Sequence, residues 1–492
     1  ISIISALRYN QKCPNKRKQR RKEDIMRKRK ATRYLGFTLT ATALCCLSAC
    51  GSSSSSTPAK DTTATKEETS SSAQNSTAET ASEKEAKTAD EKITLTFWDE
   101  NAGEKRTPYY EELIKRFNDS QDRIVVTYEG IPSSSAKEKY DVAIATNATP
   151  DIGHCNAAWG SNWLAQECLV DLDSYFDAWD EKGDINENYL RLNRELDPEN
   201  RLFMITDTVS TPLMWVRTDL LKEKGLDVPK TWDDFFTTAE KMTDASKGVY
   251  GFSFRGDSSS CVELQHAMYA YSGIEDYFDE NGKCTINAPE HVEFVTRYAA
   301  LYNKYTAESD ITNGYKEMVA AFDGGSAAMI FHNTGSAAEH ASALQPDQYV
   351  AVSFPESLTG TRSYTAGSQG GFCIFNTCEH PDEAWEFIKF MLSEDSNSYW
   401  NKSIGQIPMN NKVLKEDWVS KSQSTMEALN TLTASNCHLV SQPKYLPDYS
   451  TIMNTNNPAN FQAMLLGEMS VQSFLDNWAE QMNEAYAEYQ AQ

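Results

Sequence analysis

The sequence predicts an α/β body built on a parallel sheet, and three observations predict it. Residues 93–154 alternate strand-like and helix-like patterns, the alternation continues downstream, and no repeat of 20–50 residues replaces it. Ile93-Thr94-Leu95-Thr96-Phe97-Trp98 alternates with period two, as a strand does. Tyr109 to Asn118 has helical spacing, with Leu113, Ile114 and Phe117 on one side. Ile124 to Tyr128 reads as a second strand, Ala136 to Ala145 as a helix ended by Asn147 and Pro150, and Asp151 to His154 as a short buried strand. Strand, helix, strand, helix, strand implies parallel pairing with both faces covered. Further on, Thr231 can cap a helix whose first turn carries Asp233 and Asp234 and whose stripe is Trp232, Phe235, Phe236, Ala239 and Met242. A helix is expected from Pro289 through Tyr305, another from Pro381 with proline at the favoured first position, and a last one over about Ser470 to Tyr489.

The composition supports a folded body of two or three domains: 492 residues, of which 40% are hydrophobic and 11% aromatic, exclude a wholly disordered chain. Charge is segregated. Residues 1–49 hold 13 Lys+Arg and 2 Asp+Glu, and the remainder holds 34 against 68, a net charge of −34. A body so acidic repels phosphate backbones, which excludes a nucleic-acid partner. Seven cysteines fall in the body, at 155, 168, 261, 284, 373, 378 and 437, with no C-x-x-C. An odd number cannot all pair, so buried or free thiols with at most an occasional disulfide are expected.

The chain begins at Ile1, and Met26 fits better as a start, so 1–25 reads as an upstream extension. Arg27-Lys28-Arg29-Lys30 and Arg33 precede an apolar run over 34–47, the pattern of a signal peptide over 26–49. That run falls short of the ~20 residues needed to span a bilayer. Leu47-Ser48-Ala49-Cys50 resembles the lipobox of bacterial lipoproteins. The resemblance implies that Cys50 becomes the first mature residue and carries lipid, two acyl chains being enough for stable anchoring. Residues 51–92 contain no Val, Ile, Leu, Met, Phe, Tyr, Trp or Cys, so 50–92 should form a solvated tether. The expected location is the extracellular face of the bacterial cytoplasmic membrane, held by lipid alone.

Motifs for chemistry fail when tested. There is no P-loop, no H-E-x-x-H, no G-x-S-x-G and no tight His/Cys cluster, and Gly367-Ser368-Gln369-Gly370-Gly371 lacks dinucleotide spacing. Carboxylates are too common for one glycosidase pair to stand out. No cofactor, metal or catalytic residue is expected.

From Ile93 onward an ordered series of segments resembles the family 1 extracellular solute-binding proteins of ABC importers. They are Phe97-Trp98-Asp99, Ala148-Thr149-Pro150-Asp151-Ile152, Leu164-Ala165-Gln166-Glu167-Cys168-Leu169-Val170-Asp171-Leu172, and Trp215-Val216-Arg217-Thr218-Asp219-Leu220-Leu221 followed by Gly225-Leu226-Asp227-Val228-Pro229-Lys230-Thr231-Trp232-Asp233-Asp234-Phe235. Phe322-Asp323-Gly324-Gly325-Ser326-Ala327-Ala328-Met329, Phe354-Pro355, Gly370-Gly371, Glu383 to Phe390 and Gly405-Gln406-Ile407-Pro408 complete the order. The resemblance implies a two-lobed, type II periplasmic-binding-protein-like fold hinged by crossing segments. The first lobe would hold about 93–210 and 368–405, the second about 211–367 and 406–492. A carbohydrate, expected to be an oligosaccharide, would bind between them, and the closed form, a monomer, would dock on permease subunits served by a separate cytoplasmic ATPase. The rival readings are a surface-tethered carbohydrate-active enzyme and a receptor for a non-sugar solute such as glycerol phosphate.

A sugar site needs aromatic faces for the rings and carboxylates or amides for the hydroxyls. Candidates are therefore sought where strands end and loops cross. Trp98, Asp99, Glu100 and Asn101 follow the first strand, and carboxyl ends of strands are where open α/β sheets bind ligands. Trp159 follows the 151–154 strand, in a segment that contacts sugar in relatives. Trp215 lies at the first crossing, and Phe331, His332 and Asn333 follow the Ala328-Met329 strand, though without the Trp that relatives often carry there. Gln369 and Gly370 lie at the second crossing, where backbone amides could donate. Arg255 and Asp257 are loop candidates, whereas Trp232 and Trp385 sit on helix stripes and are assigned to the core.

Overall fold

In the computed structural model, residues 92–366 and 369–491 are described, all within one compact unit spanning Ala86–Gln492. The expected signal peptide, the expected lipid site at Cys50 and the expected tether up to residue 91 lie outside the described residues.

The period-two segment becomes β1 (Ile93–Asp99), followed by α1 (Thr107–Ser120), β2 (Ile124–Gly130), α2 (Ser133–Thr146) and β3 (Ile152–Asn156). Asn156 ends β3 and at once caps α3 (Ala157–Ala165), its side chain accepting from Ala158 N. After short helices come β4 (Thr208–Val209) and β5 (Pro212–Val216), then α4 (Trp232–Met242), α5 (Ser260–Ser272) and α6 (Pro289–Ala299). Strands β6 (Met329–Asn333), β7 (Val350–Val352), β8 (Arg362–Ala366) and β9 (Gly370–Ile374) precede α7 (Pro381–Leu392) and α8 (Glu394–Ile404). The chain ends with β10 (Ile407–Pro408), β11 (Cys437–Ser441), a π-helical turn over Ile452–Asn456, α9 (Asn457–Leu465) and α10 (Val471–Gln490).

The strands organise two lobes. The first sheet has the order β2-β1-β3-β9, with β1 parallel to both β2 and β3. Its fourth strand differs from the parallel expectation: β9 returns from the far end of the chain and pairs antiparallel with β3. The second lobe departs further, because its sheet, β6-β5-β7, is antiparallel throughout. The stretch between β4 and β5 crosses from one lobe to the other, and β10 pairs antiparallel with β4 beside it. A parallel pair, β8 and β11, lies against α5.

Alternation along the strands sorts the core. Leu95 and Phe97 of β1 pack with Leu113, Phe117, Phe372 and Phe387, and on the other side of the sheet Cys155 packs with Tyr140, Trp163 and Phe375. In β5, Leu213 and Trp215 face one apolar cluster while Met214 and Val216 face the other. The caps read from sequence form: Thr231 and Asp234 make a reciprocal capping box on α4, and α6 and α7 begin with proline. The helix from Pro289 stops at Ala299 rather than Tyr305; beyond it the chain passes through turns, with Asn303 at φ 52°. The seven described cysteines are all free thiols.

Candidate functional site

A cavity of about 260 Å³ opens where the carboxyl end of β3 meets the two crossing segments. The first lobe contributes Asn156, Ala158 and Thr206, and the crossing contributes Val209 to Pro212. The second lobe contributes one face of α5 and its approach, through Ser259, Val262, Glu263 and His266, together with Asn333 and Tyr364 to Ala366. The carboxy-terminal segment closes it with Leu439, Gln442, Lys444, Tyr449 and Asn454.

Local bonds hold these groups in place. Ser210 Oγ donates to Gln369 Oε1 at 3.1 Å, joining the two crossings. Thr206 Oγ1 donates to Thr208 O, and Asn333 Oδ1 accepts from Gly335 N at 2.7 Å. The Tyr449 hydroxyl accepts from Gln265 Nε2 at 3.2 Å, and His266 Nδ1 is bonded to Thr365 Oγ1. Burial, joined by the nearby Lys444 cation, lowers the His266 ring to about 3, so it is neutral at pH 7. Burial lowers the Lys444 amine to about 8 and pushes the Glu263 carboxyl up to about 7, against the pull of Arg255 Nη1 at 3.5 Å. The walls therefore present mainly uncharged donors and acceptors, with one carboxyl and one amine. Among the described residues, no group of three His, Cys, Asp or Glu could hold a metal ion.

Glu263 yields a pH prediction. Its folded pKa, about 7, lies above its ordinary 4.5, so the native state binds more protons and loses stability as pH rises between those values. The loss amounts to about 3 kcal/mol. Urea unfolding of the wild type and of Glu263→Gln should show the wild type losing about that much stability relative to the variant from pH 4.5 to 7.5. Parallel curves would contradict the partly buried, desolvated setting of this carboxyl.

Two of the residues expected from sequence, Asn333 and Gln369, line this cavity. Arg255 and Asp257 stand just behind it, Arg255 bridging Asp257 at 3.2 Å and Glu263 at 3.5 Å. The aromatic candidates lie away from this cavity. Trp159 is buried against Tyr140 and Trp163, with ring centroids 6.2 and 5.8 Å away. Trp215 is buried beside His340 and Tyr349, and Phe331 lies within a cluster of Phe235, Phe252 and Phe354. Each packs into apolar surroundings where its ring area is shielded from water.

The turn after β1 also misses the cavity, because β1 lies one strand further from it than β3 does. Trp98 packs on Tyr140 with Lys139 Nζ 4.3 Å from its ring centre. Buried Asp99 accepts from Tyr128 Oη at 3.2 Å and from Asn101 N at 3.1 Å, and Asn101 itself is exposed. Burial raises Glu100 to about 7 in a cluster with His154, Asp99, Arg106 and Asp207, where His154 Nε2 lies 3.1 Å from Asp207 Oδ1. Gly370 does not line the cavity; it lets β9 pass close beside Cys155 and Asn156.

Sequence reasoning missed the α5 face. Residues 259, 262, 263 and 266 follow helical i, i+3, i+4, i+7 spacing, so the stripe was present, but its mixed polarity resembles a solvated surface. The carboxy-terminal contributors carried no periodic signal.

The model of the bacterial extracellular solute-binding protein family matches residues 101–398. The chain belongs to this family. Among relatives of this solute-binding protein, the sn-glycerol-3-phosphate-binding periplasmic protein of Brucella melitensis biotype 1 is 24% identical over 417 residues, covering 76% of this chain and 89% of the relative. An ABC transporter solute-binding protein from Thermotoga lettingae, solved with α-D-tagatose, superposes with a TM-score of 0.69 at 18% identity, over 80% of this chain and 100% of the other. Maltose-bound MalE3 of T. maritima gives a TM-score of 0.68 at 21% identity, over 79% and 99%. These similarities place the solute-binding protein in the two-lobed architecture of ABC-importer receptors.

Proposed function

We propose that this solute-binding protein is a lipid-anchored receptor that captures a carbohydrate between its lobes and delivers it, unaltered, to an ABC import permease. The observation that carries the reading is the cavity wall: amide, hydroxyl and neutral imidazole groups beside the half-buried ring of Tyr189, which suit hydroxyl-rich rings. A volume of about 260 Å³ falls just below the ~300–1,000 Å³ usual for small-molecule sites, which favours a short oligosaccharide or one end of a longer one. A glycerol phosphate ligand, as named for the Brucella relative, is supported less. Phosphate recognition favours bidentate arginine, and the lining holds one lysine and no arginine among the described residues.

A thermal-shift and calorimetric screen of the full chain against mono- and oligosaccharides, with sn-glycerol 3-phosphate and inorganic phosphate alongside, tests the reading. Ligands that bind the native state should raise the melting temperature by mass action. The expected result is one-to-one binding of a sugar with no new product by chromatography. Turnover of the sugar, or preference for the phosphates, would overturn it.

A further inference from the structure

The family match ends at residue 398, yet the cavity is completed by residues that follow it. After β11, Gln442 N donates to Ala366 O at 2.6 Å, which fixes the start of the segment on β8. Lys444 then reaches the cavity beside His266, whose ring titration its charge perturbs. Asn454 enters from the π-helical turn, where its Nδ2 donates to Ser450 O at 3.1 Å and leaves the amide oxygen for other partners. Single π-turns are rare and recur at functional sites, because the extra residue re-aims side chains that a regular α-turn would point elsewhere.

The same segment touches the first lobe. Ser441 Oγ donates to Glu195 Oε2 at 3.1 Å, and the Leu446 carbonyl accepts from Ser161 Oγ of α3 at 3.3 Å. A ligand held by residues 442–454 is therefore held by a piece of chain bonded to both lobes, so contact there counts toward closure as well as toward binding.

We infer that Lys444 and Asn454 are specificity-determining residues of this receptor, and that the 441–454 segment carrying them couples ligand identity to lobe closure. The inference rests on the carbohydrate reading. Lys444 supplies donors and Asn454 an amide to hydroxyls on the side of the cavity that this segment closes. The choice among sugars is thus made by the segment after β11, with Asn156 and Asn333 giving the rest of the grip.

The test uses the full chain and a fixed panel of maltose, D-glucose, D-tagatose and D-xylose, with affinities measured by calorimetry for the wild type, Lys444→Met, Asn454→Ala, Asn454→Asp and Ser441→Ala. Lys444→Met and Asn454→Ala should each weaken the best wild-type binder by about tenfold and change the order of preference, while apo melting temperatures stay within a few degrees of wild type. Asn454→Asp, which keeps a side-chain oxygen, should restore part of the affinity. Ser441→Ala should weaken every sugar by a similar factor and leave the order intact. If the wild type binds a panel sugar and Lys444→Met and Asn454→Ala keep its order of preference, the inference fails and the carbohydrate reading stands. If the wild type binds none of the four, both are overturned.

Discussion

Gly371→Ala should cost the protein about 3 kcal/mol or more and lower its melting temperature by roughly 3 °C or more. Gly371 has φ 141°, and a Cβ there would lie 2.1 Å from the Ile205 carbonyl oxygen. That oxygen is the acceptor for Phe372 N at 2.9 Å, and Ile205 N donates back to Phe372 O at 3.0 Å, so the intruding methyl group would push apart a two-bond bridge. Gly370 next to it has φ 98° and a would-be Cβ 1.9 Å from Cys155 O. Neither clash can be relieved by a rotamer, because the obstacles are backbone atoms. Thermal and urea denaturation of Gly371→Ala checks the prediction; a wild-type transition would mean that β9 does not run so close to residue 205.

Trp215→Ala should be as severe, for a different reason. The side chain is about 1% exposed and is enclosed by His340, Tyr349 and the apolar cluster around Leu213, Phe322 and Ile330. Removing it leaves a void the surroundings cannot close, at a cost of about 3–5 kcal/mol. Because Trp215 faces away from the cavity, ligand affinity measured well below the melting temperature should change less than twofold. A large loss of affinity with unchanged stability would return Trp215 to the binding site.

These two positions show what was legible in the sequence. The period-two run at Ile93–Trp98 and the stripe of Leu113, Ile114 and Phe117 announced β1 and α1 because periodicity is a local property. The cap at Thr231 and the prolines opening α6 and α7 were equally local. Strand direction was not: nothing near Gly370 says that β9 runs against β3, since that depends on the path the chain takes through the second lobe.

The site was legible in the same uneven way. Asn333 ends a strand and Gln369 stands at a crossing, positions whose role follows from topology, and both line the cavity. Trp159, Trp215 and Phe331 satisfied the chemistry of sugar stacking equally well, but core and cleft both accept aromatic rings, and only the three-dimensional arrangement says which side of a sheet a ring occupies. Lys444 and Asn454 became visible only once the segment after β11 was seen lying against α5 and α3.

The antiparallel pairing of β3 with β9 also has a consequence for how the polypeptide is made. Cys155 and Cys373, neighbours across that pair with sulfurs 3.5 Å apart, are 218 positions apart in the chain. The amino-terminal lobe cannot acquire its last strand until synthesis has passed residue 374, so its outer strand β3 waits unpaired on one edge throughout the emergence of the other lobe. Long-range closure of this kind is slow. A chain held unfolded until it has fully emerged, as in export through a membrane, would meet the least danger of sticking to its neighbours through that bare edge.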